Sequence, residues 1–217
     1  MNDQINKWSL VHAVFILICF LAYVQWGQIG FMAIPSASFL YLVWITRMEW
    51  KRIRFGLPNT ITALRLLLCV ALIFLFKEDI YMLLGIAIPI AVLDGLDGYF
   101  ARKLNQQTIM GAQLDKEVDA YYILILAILV LENSIAGFWV LGFGLIRYIY
   151  VIVGYRFRKK SVPEMKFGLG RIIAVATMII LMAAQILPTL YATIILITGF
   201  SFLLYSFVRS AYYQFRT

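Results

Sequence analysis

Eight apolar runs, at about residues 8–26, 29–47, 60–76, 80–102, 111–131, 135–154, 168–187 and 190–208, divide the chain almost end to end. Each is roughly 18 to 22 residues long, the length an α-helix needs to cross a hydrocarbon core of about 30 Å. In lipid every backbone amide and carbonyl must be satisfied inside the protein, so repeated runs of this length predict an all-α, polytopic membrane bundle. Composition agrees, with 63% hydrophobic and only 14% charged residues, far from the balance of a soluble domain. The first run is followed by neither a small-residue cleavage site nor a polar mature sequence, so we read a retained helix and not a signal peptide. Cys19 and Cys69 both fall inside apolar runs and read as small buried hydrophobes.

The net charge is +8. A basic balance suits nucleic acid or an anionic membrane surface, and the position of the charges separates the two. They sit in short tracts between runs, which points to lipid headgroups and anionic substrates and away from a nucleic-acid groove. Eight spans place both termini on one side. The loops on that side carry Arg47, Lys51, Arg52, Arg54, Arg102, Lys103, Lys160 and others, whereas the opposite loops carry Lys77 alone. By the positive-inside rule the basic side is cytoplasmic, as for a multi-pass protein of a bacterial inner membrane. Trp8, Trp26, Trp44 and Trp50 fall at run ends, where amphipathic rings favour the interface. The tract "RMEWKRIRFGLPN" mixes bases with Trp50, Ile53 and Phe55, predicting a short interfacial helix over 48–57 that Pro58 closes. The expected division is therefore 1–47, two accessory transmembrane helices; 48–57, interfacial; and 58–217, the part with the polar chemistry.

That chemistry centres on four acids. Asp94 and Asp97 lie within about 60° of each other on a helix, and Gly98 and Ala101 extend their face with small side chains. In the following run Gly111, Asp115 and Asp119 recur every four residues, again on one face. The connection between the runs is short, so the two helices are antiparallel neighbours. At about 1.5 Å per residue the two pairs reach the same depth, roughly 6 to 12 Å below the helix ends. An aspartate at mid-bilayer costs about 2.5 to 3.5 kcal/mol, so four together require a cation. An oxygen-only donor set without His or Cys selects hard ions, Mg²⁺ first, with Mn²⁺ and Ca²⁺ open. Two divalent ions would neutralise four carboxylates. The structural alternative is that the acids pair with Arg102, Lys103 and Lys116 or line an ion path.

Written out, the stretch is Asp94-x2-Asp97-Gly98-x2-Ala101-Arg102-x8-Gly111-x3-Asp115-x3-Asp119. It resembles, at all eight fixed positions, the signature of the CDP-alcohol phosphotransferases (CDP-alcohol phosphatidyltransferases). Upstream, "PNTITALR" (Pro58 to Arg65) looks like the Pro-Asn-x-x-Thr-x-x-Arg opening of the first core helix in many bacterial members. The resemblance implies a six-helix core over 58–208, a homodimer, and transfer of a phosphate-linked group from a CDP-linked donor to an alcohol with release of CMP. It further implies that Asp94, Asp97, Asp115 and Asp119 hold two Mg²⁺ or Mn²⁺ ions and that Asp119 is also the general base. Gly98, Ala101, Arg102 and Gly111 would accommodate the nucleotide together with Asp94, Asp97 and Asp115, and Asn59 and Thr62 would contact it or support its ligands. The two extra N-terminal spans depart from the minimal family pattern.

Outside the signature, Arg65 and Arg147 sit roughly 9 to 11 Å below their helix ends, at the depth of the aspartates, and Arg171 starts the seventh run. Buried arginines face a cavity or a partner. Either they form a basic acceptor pocket with Lys166 at its mouth, suited to glycerol 3-phosphate, or they pair with the aspartates and headgroups. Pro89 is expected to kink its helix, and His12 to bond between helices. The expected reaction is phosphatidyl transfer from CDP-diacylglycerol to a small polar alcohol, glycerol 3-phosphate before serine or inositol. Its rivals are a CDP-choline or CDP-ethanolamine type transfer to diacylglycerol and, from another class, a divalent-cation transporter. A transporter would need acids continuing across the bilayer, and beyond Asp119 the next are Glu78, Asp79 and Glu132 at the far surface.

Overall fold

A computed structural model describes residues 2–45, 56–157 and 168–216. Among these are eight α-helices: α1 (Asn2–Trp26), α2 (Ala37–Ile45), α3 (Leu57–Phe74), α4 (Ile80–Lys103), α5 (Ile109–Glu132), α6 (Gly142–Phe157), α7 (Gly168–Ala184) and α8 (Thr189–Arg216). The expected interfacial helix at 48–57 lies outside the described residues, except for Gly56 and Leu57 at the start of α3. Arg47, Lys51, Arg52, Arg54, Lys160 and Lys166 also lie outside them.

Five helical stretches are long and apolar enough to cross a membrane: Gln4–Trp26, Leu57–Phe74, Ile80–Lys103, Phe138–Arg156 and Thr189–Tyr212. The remaining three differ from the even pattern read in the sequence, each for a local reason. The second run opens as a 3₁₀ helix, Ile29–Ser36, with Pro35 inside it. Proline removes an amide donor that a continuous α-helix would use, and the tighter turn rises about 2.0 Å per residue, so the shorter segment gains reach. Gly170–Ala184 is a shorter apolar helix. The α5 helix is excluded by its polar first turns, which hold Gln113, Asp115, Lys116, Glu117 and Asp119.

The helix ends explain the tight geometry near the acids. At the end of α4, Gln106 N–H donates to Ala101 O (3.0 Å) and Asn105 N–H to Arg102 O (3.3 Å), with Asn105 at φ 51°. This paired closure satisfies the last carbonyls and reverses the chain, and asparagine tolerates the left-handed backbone it needs. Two residues later Thr108 caps α5, its Oγ1 accepting from Gly111 N–H at 2.9 Å. The two acid-bearing helices are thus joined by a connector that is capped at both ends. Pro58 stands in the first turn of α3, where its missing N–H costs nothing.

The chain falls into two compact units, Met1–Tyr122 and Ile123–Thr217. The first contains α1 to α4 and the beginning of α5, so the N-terminal helices share a unit with the acid-bearing ones. One part of its core is formed by Ile5, Trp8, Phe39, Leu42, Met110, Leu114 and Val118. Tyr122 Oη donates to Ala87 O at 2.7 Å, and Tyr121 Oη donates to Met32 O. In the second unit, a Cβ on Gly142 would lie 2.7 Å from the Phe200 ring, and one on Gly199 would lie 2.7 Å from Ile180, so absent side chains let α6, α7 and α8 approach closely. Asn133 Nδ2 bonds Gln185 Oε1 at 2.9 Å.

Candidate active site

Three helices of the first unit build the acid cluster. The α4 face bears Asp94 and Asp97, the α5 face bears Asp115 and Asp119, and α3 contributes Thr62 and Arg65, one turn apart. The two carboxylate pairs, 18 or more residues apart in the chain, thus converge in space.

Arg65 stands at the centre. Its side chain is fully buried and bridges all four acids, with Nη2 to Asp94 Oδ1 at 3.0 Å, Nη1 to Asp97 Oδ2 at 3.1 Å and Nη1 to Asp115 Oδ1 at 2.9 Å. A fourth ion pair joins Nη2 to Asp119 Oδ1. The cation that the burial cost demands is therefore a guanidinium from α3. Of the two readings of Arg65, an acceptor pocket or pairing with the aspartates, the geometry bears out the pairing. Arg102, the first of the other candidate partners, is exposed and folds back along α4, with its Nη1 3.5 Å from where a Cβ of Gly98 would be. The planar fork of arginine, with five donors, suits this task where a lysine could not span four acceptors.

Thr62 supports the same group, its Oγ1 lying 2.9 Å from Asp97 Oδ2 and 3.1 Å from Pro58 O. Asp97, at 4% exposure, is the most enclosed of the four. Asp115, with 38% of its side chain exposed, is the most open. The site is therefore graded, closed at Thr62 and Asp97 and open at Asp115. Asn59 is buried, and a Cβ on Gly111 would lie 2.6 Å from its Oδ1 and 2.9 Å from Thr108 Oγ1. Glycine at 111 is what lets the α3 and α5 ends meet there. Ala101 is half-buried on the α4 face.

The acid cluster also offers a set of oxygen donors for a metal. Asp94, Asp97 and Asp115 each offer an oxygen within 4.8 Å of the others. Arg65 compensates one of the four negative charges and leaves three, so a divalent ion meets carboxylate oxygens with net negative charge to spare. Hard oxygen donors without nitrogen or sulfur suit Mg²⁺ or Mn²⁺, and the residues fit the group.

The acceptor pocket is a different matter. Arg65 belongs to the acid cluster, Lys166 lies outside the described residues, and Arg147 on α6 and Arg171 on α7 belong to the second unit, half-buried and exposed respectively. Pro89 lies within α4, which continues through it.

Sequence reading passed over Glu117. It lies between Asp115 and Asp119 but on the opposite side of α5, is fully buried, and accepts from Ser9 Oγ and Gln113 Nε2, both at 2.8 Å. The available signal was a second polar pair, Gln113 and Glu117, spaced by four and offset by two from the acid pair.

Known proteins bear on this geometry. A family model described as CDP-alcohol phosphatidyltransferase matches residues 55–207. A CDP-diacylglycerol--glycerol-3-phosphate 3-phosphatidyltransferase of Aquifex aeolicus (strain VF5) is 38% identical over 68 residues, covering 31% of this chain and 38% of that protein. A protein of the same name from Wigglesworthia glossinidia brevipalpis is 34% identical over 105 residues, covering 46% of this chain and 57% of that protein. The chain thus matches about half the length, or less, of these relatives. The family model spans more than half of the chain and includes every helix that contributes to the acid cluster, and on that ground the chain belongs to the CDP-alcohol phosphatidyltransferase family.

Proposed function

We propose that this protein transfers a phosphatidyl group from CDP-diacylglycerol to a small polar alcohol, glycerol 3-phosphate first, and releases CMP. The observation that carries the reading is the convergence of Asp94, Asp97, Asp115 and Asp119 on Arg65 in a chain of this family. The names of the two relatives favour glycerol 3-phosphate over serine or inositol.

Asp94, Asp97 and Asp115 would hold Mg²⁺ or Mn²⁺, two ions in all, with Asp119 contributing at the edge. Bound there, the metal supplies Lewis-acid polarisation of the diphosphate and neutralises charge on the departing CMP. The chain's own residues do the rest. Asp119 takes the proton of the acceptor hydroxyl, whose oxygen forms the new bond to the phosphatidyl phosphorus as the bond from that phosphorus to the CMP oxygen breaks. Arg65, with a permanent charge, keeps the four carboxylates together when their repulsion is greatest. Thr62 holds Asp97 in its rotamer. Gly98 and Ala101 leave the α4 face low enough for cytidine, and Arg102 beside Gly98 offers donors to phosphate.

The exposure of Asp115 supports entry of polar reactants beside it, near helix ends that are cytoplasmic by the charge distribution, while acyl chains remain in lipid. Arg147, Arg171 and Lys166 are proposed to receive the acceptor phosphate, and the protein is proposed to act as a homodimer in a bacterial inner membrane.

The test is CMP release from CDP-diacylglycerol by purified protein with Mg²⁺ or Mn²⁺ against glycerol 3-phosphate, serine, inositol and inositol phosphate. Acceptor-dependent release that is lost in Asp119→Asn supports the reading and names the alcohol. Silence across the panel, with turnover of CDP-choline and diacylglycerol instead, would overturn it in favour of the soluble-donor branch.

A further inference from the structure

The N-terminal helices lie outside the segment matched by the family model, which begins at residue 55. Yet α1 is bonded to the helix that carries Asp115 and Asp119. Ser9 Oγ donates to Glu117 Oε1 at 2.8 Å, Gln113 Nε2 donates to the same oxygen at 2.8 Å, and Gln113 Nε2 also reaches Ser9 Oγ at 3.2 Å. The three polar groups close a triangle between α1 and α5.

The triangle is walled in. Glu117 and His12 are fully buried and Ser9 is 5% exposed, beside the apolar cluster that includes Ile5, Trp8, Leu114 and Val118. Trp8 stacks on His12 with ring centroids 5.1 Å apart and donates its Nε1–H to Ser38 O at 2.9 Å. His12 Nδ1 meets Ser38 Oγ, so the same stretch of α1 is tied to α2. In such surroundings a broken hydrogen bond leaves a buried polar group unsatisfied, which makes the contact directional and register-specific in a way an apolar seam is not. The best-attested use of a buried polar contact is the fixing of register.

Glu117 is two residues from each of Asp115 and Asp119, about 200° around the helix. Holding one face of a helix fixes the other. A rotation of α5 by about 20° would carry a carboxylate, about 5 Å from the axis, through nearly 2 Å. Misplacement by about 1 Å can cost about 100-fold in rate.

We propose that Ser9, Gln113 and Glu117 form a brace through which the N-terminal helix sets the rotation of α5, and that they are positioning residues for Asp115 and Asp119. The role of the brace in turnover rests on the transfer reaction proposed above, whereas its effect on metal binding can be read separately.

The test compares Ser9→Ala, Glu117→Leu and Glu117→Gln with wild type, using full-length protein in one detergent. Two readouts are taken: Mn²⁺ affinity by electron paramagnetic resonance, and kcat and KM for CMP release. Loss of the brace is expected to weaken Mn²⁺ binding about 10-fold and lower kcat about 10-fold, with KM for the lipid donor changed by less than about twofold. Glu117→Gln keeps an oxygen that accepts from Ser9 and Gln113, and should recover to within about threefold of wild type. Val11→Ala, on an exposed part of α1, is the control and should change neither readout.

A Ser9→Ala protein that melts lower but binds Mn²⁺ and turns over like wild type would overturn the brace and leave a merely structural contact. Should Glu117→Leu fail to fold, Ser9→Ala alone decides. If wild type releases no CMP from any CDP-linked substrate, the reaction is wrong, and the Mn²⁺ comparison still judges the brace.

Discussion

The helices α4 and α5 are both 24 residues long and each bears two aspartates near one end, but they are built for different surroundings. Only 22% of the span window of α4 is buried, and Met82, Ile88, Val92, Leu96 and Tyr99 are exposed along it. In α5 every residue from 120 to 130 is buried. One helix exposes an apolar face with a narrow polar edge. The other is enclosed from residue 120 to residue 130 and has no exposed face over that stretch. The same chemical group is therefore held in two ways. Asp94 and Asp97 depend on α3, through Arg65 and Thr62, whereas Asp115 and Asp119 are also fixed by the packing of their own helix.

The largest expected effect separates the two pairs by role. Asp119→Asn should lower kcat by about 10³-fold at any Mn²⁺ concentration, as loss of a general base does. Asp94→Asn should instead weaken metal binding about 10- to 100-fold and regain part of its rate at high Mn²⁺. Metal titration of CMP release by the two variants checks this, and identical titration curves would erase the distinction.

Next comes the shared counter-ion. Arg65→Met leaves four acids without it, and breaking a buried ion pair from one side costs about 3 to 5 kcal/mol. The melting temperature in detergent should fall and Mn²⁺ should raise it more in the variant than in wild type, because the ion then supplies the missing charge. Equal Mn²⁺ shifts would mean that Arg65 and metal do not share the carboxylates.

Smaller effects sharpen the packing contrast. Gly111→Ala in α5 brings a Cβ to 2.6 Å from Asn59 Oδ1 and should cost about 1 to 3 kcal/mol. Gly95→Ala in α4 meets nothing within 4 Å and should stabilise by about 0.5 to 1 kcal/mol. Tyr122→Phe removes the bond to Ala87 O and should cost about 1 kcal/mol, while Val92→Ala at an exposed α4 position should stay within about 0.5 kcal/mol. Thermal unfolding of the four variants orders them, and an inverted order for the two glycines would break the comparison.

Much of this was legible beforehand for a physical reason. Span length is set by the bilayer, so apolar runs located the helices without any knowledge of their neighbours. The acid spacing was legible because α-helical periodicity alone puts Asp115 over Asp119 and Asp94 near Asp97. What the sequence left open depended on facing. The depth of Arg65 could be counted, but whether it turned towards the acids or towards an acceptor could not, because depth is one-dimensional and azimuth is set by packing. Glu117 was hidden for the same reason, as a third acid in a polar turn whose opposite face only the fold reveals. Local irregularities were obscured too, since Ile29–Ser36 keeps the apolar composition of a span while turning as a 3₁₀ helix. The α8 helix runs to Arg216, past the apolar run that ends near residue 208, because a helix can continue where the apolar run that locates it in sequence has stopped.

The central claim is that the acids on α4 and α5 share a divalent metal at the point where phosphate is transferred. Anomalous diffraction from crystals grown with Mn²⁺ and a CDP-linked lipid tests it most directly. The account predicts a manganese peak bounded by Asp94, Asp97 and Asp115, with Asp119 at its edge and the diphosphate against it. A peak elsewhere, or nucleotide bound at a distance from these four residues, would contradict it.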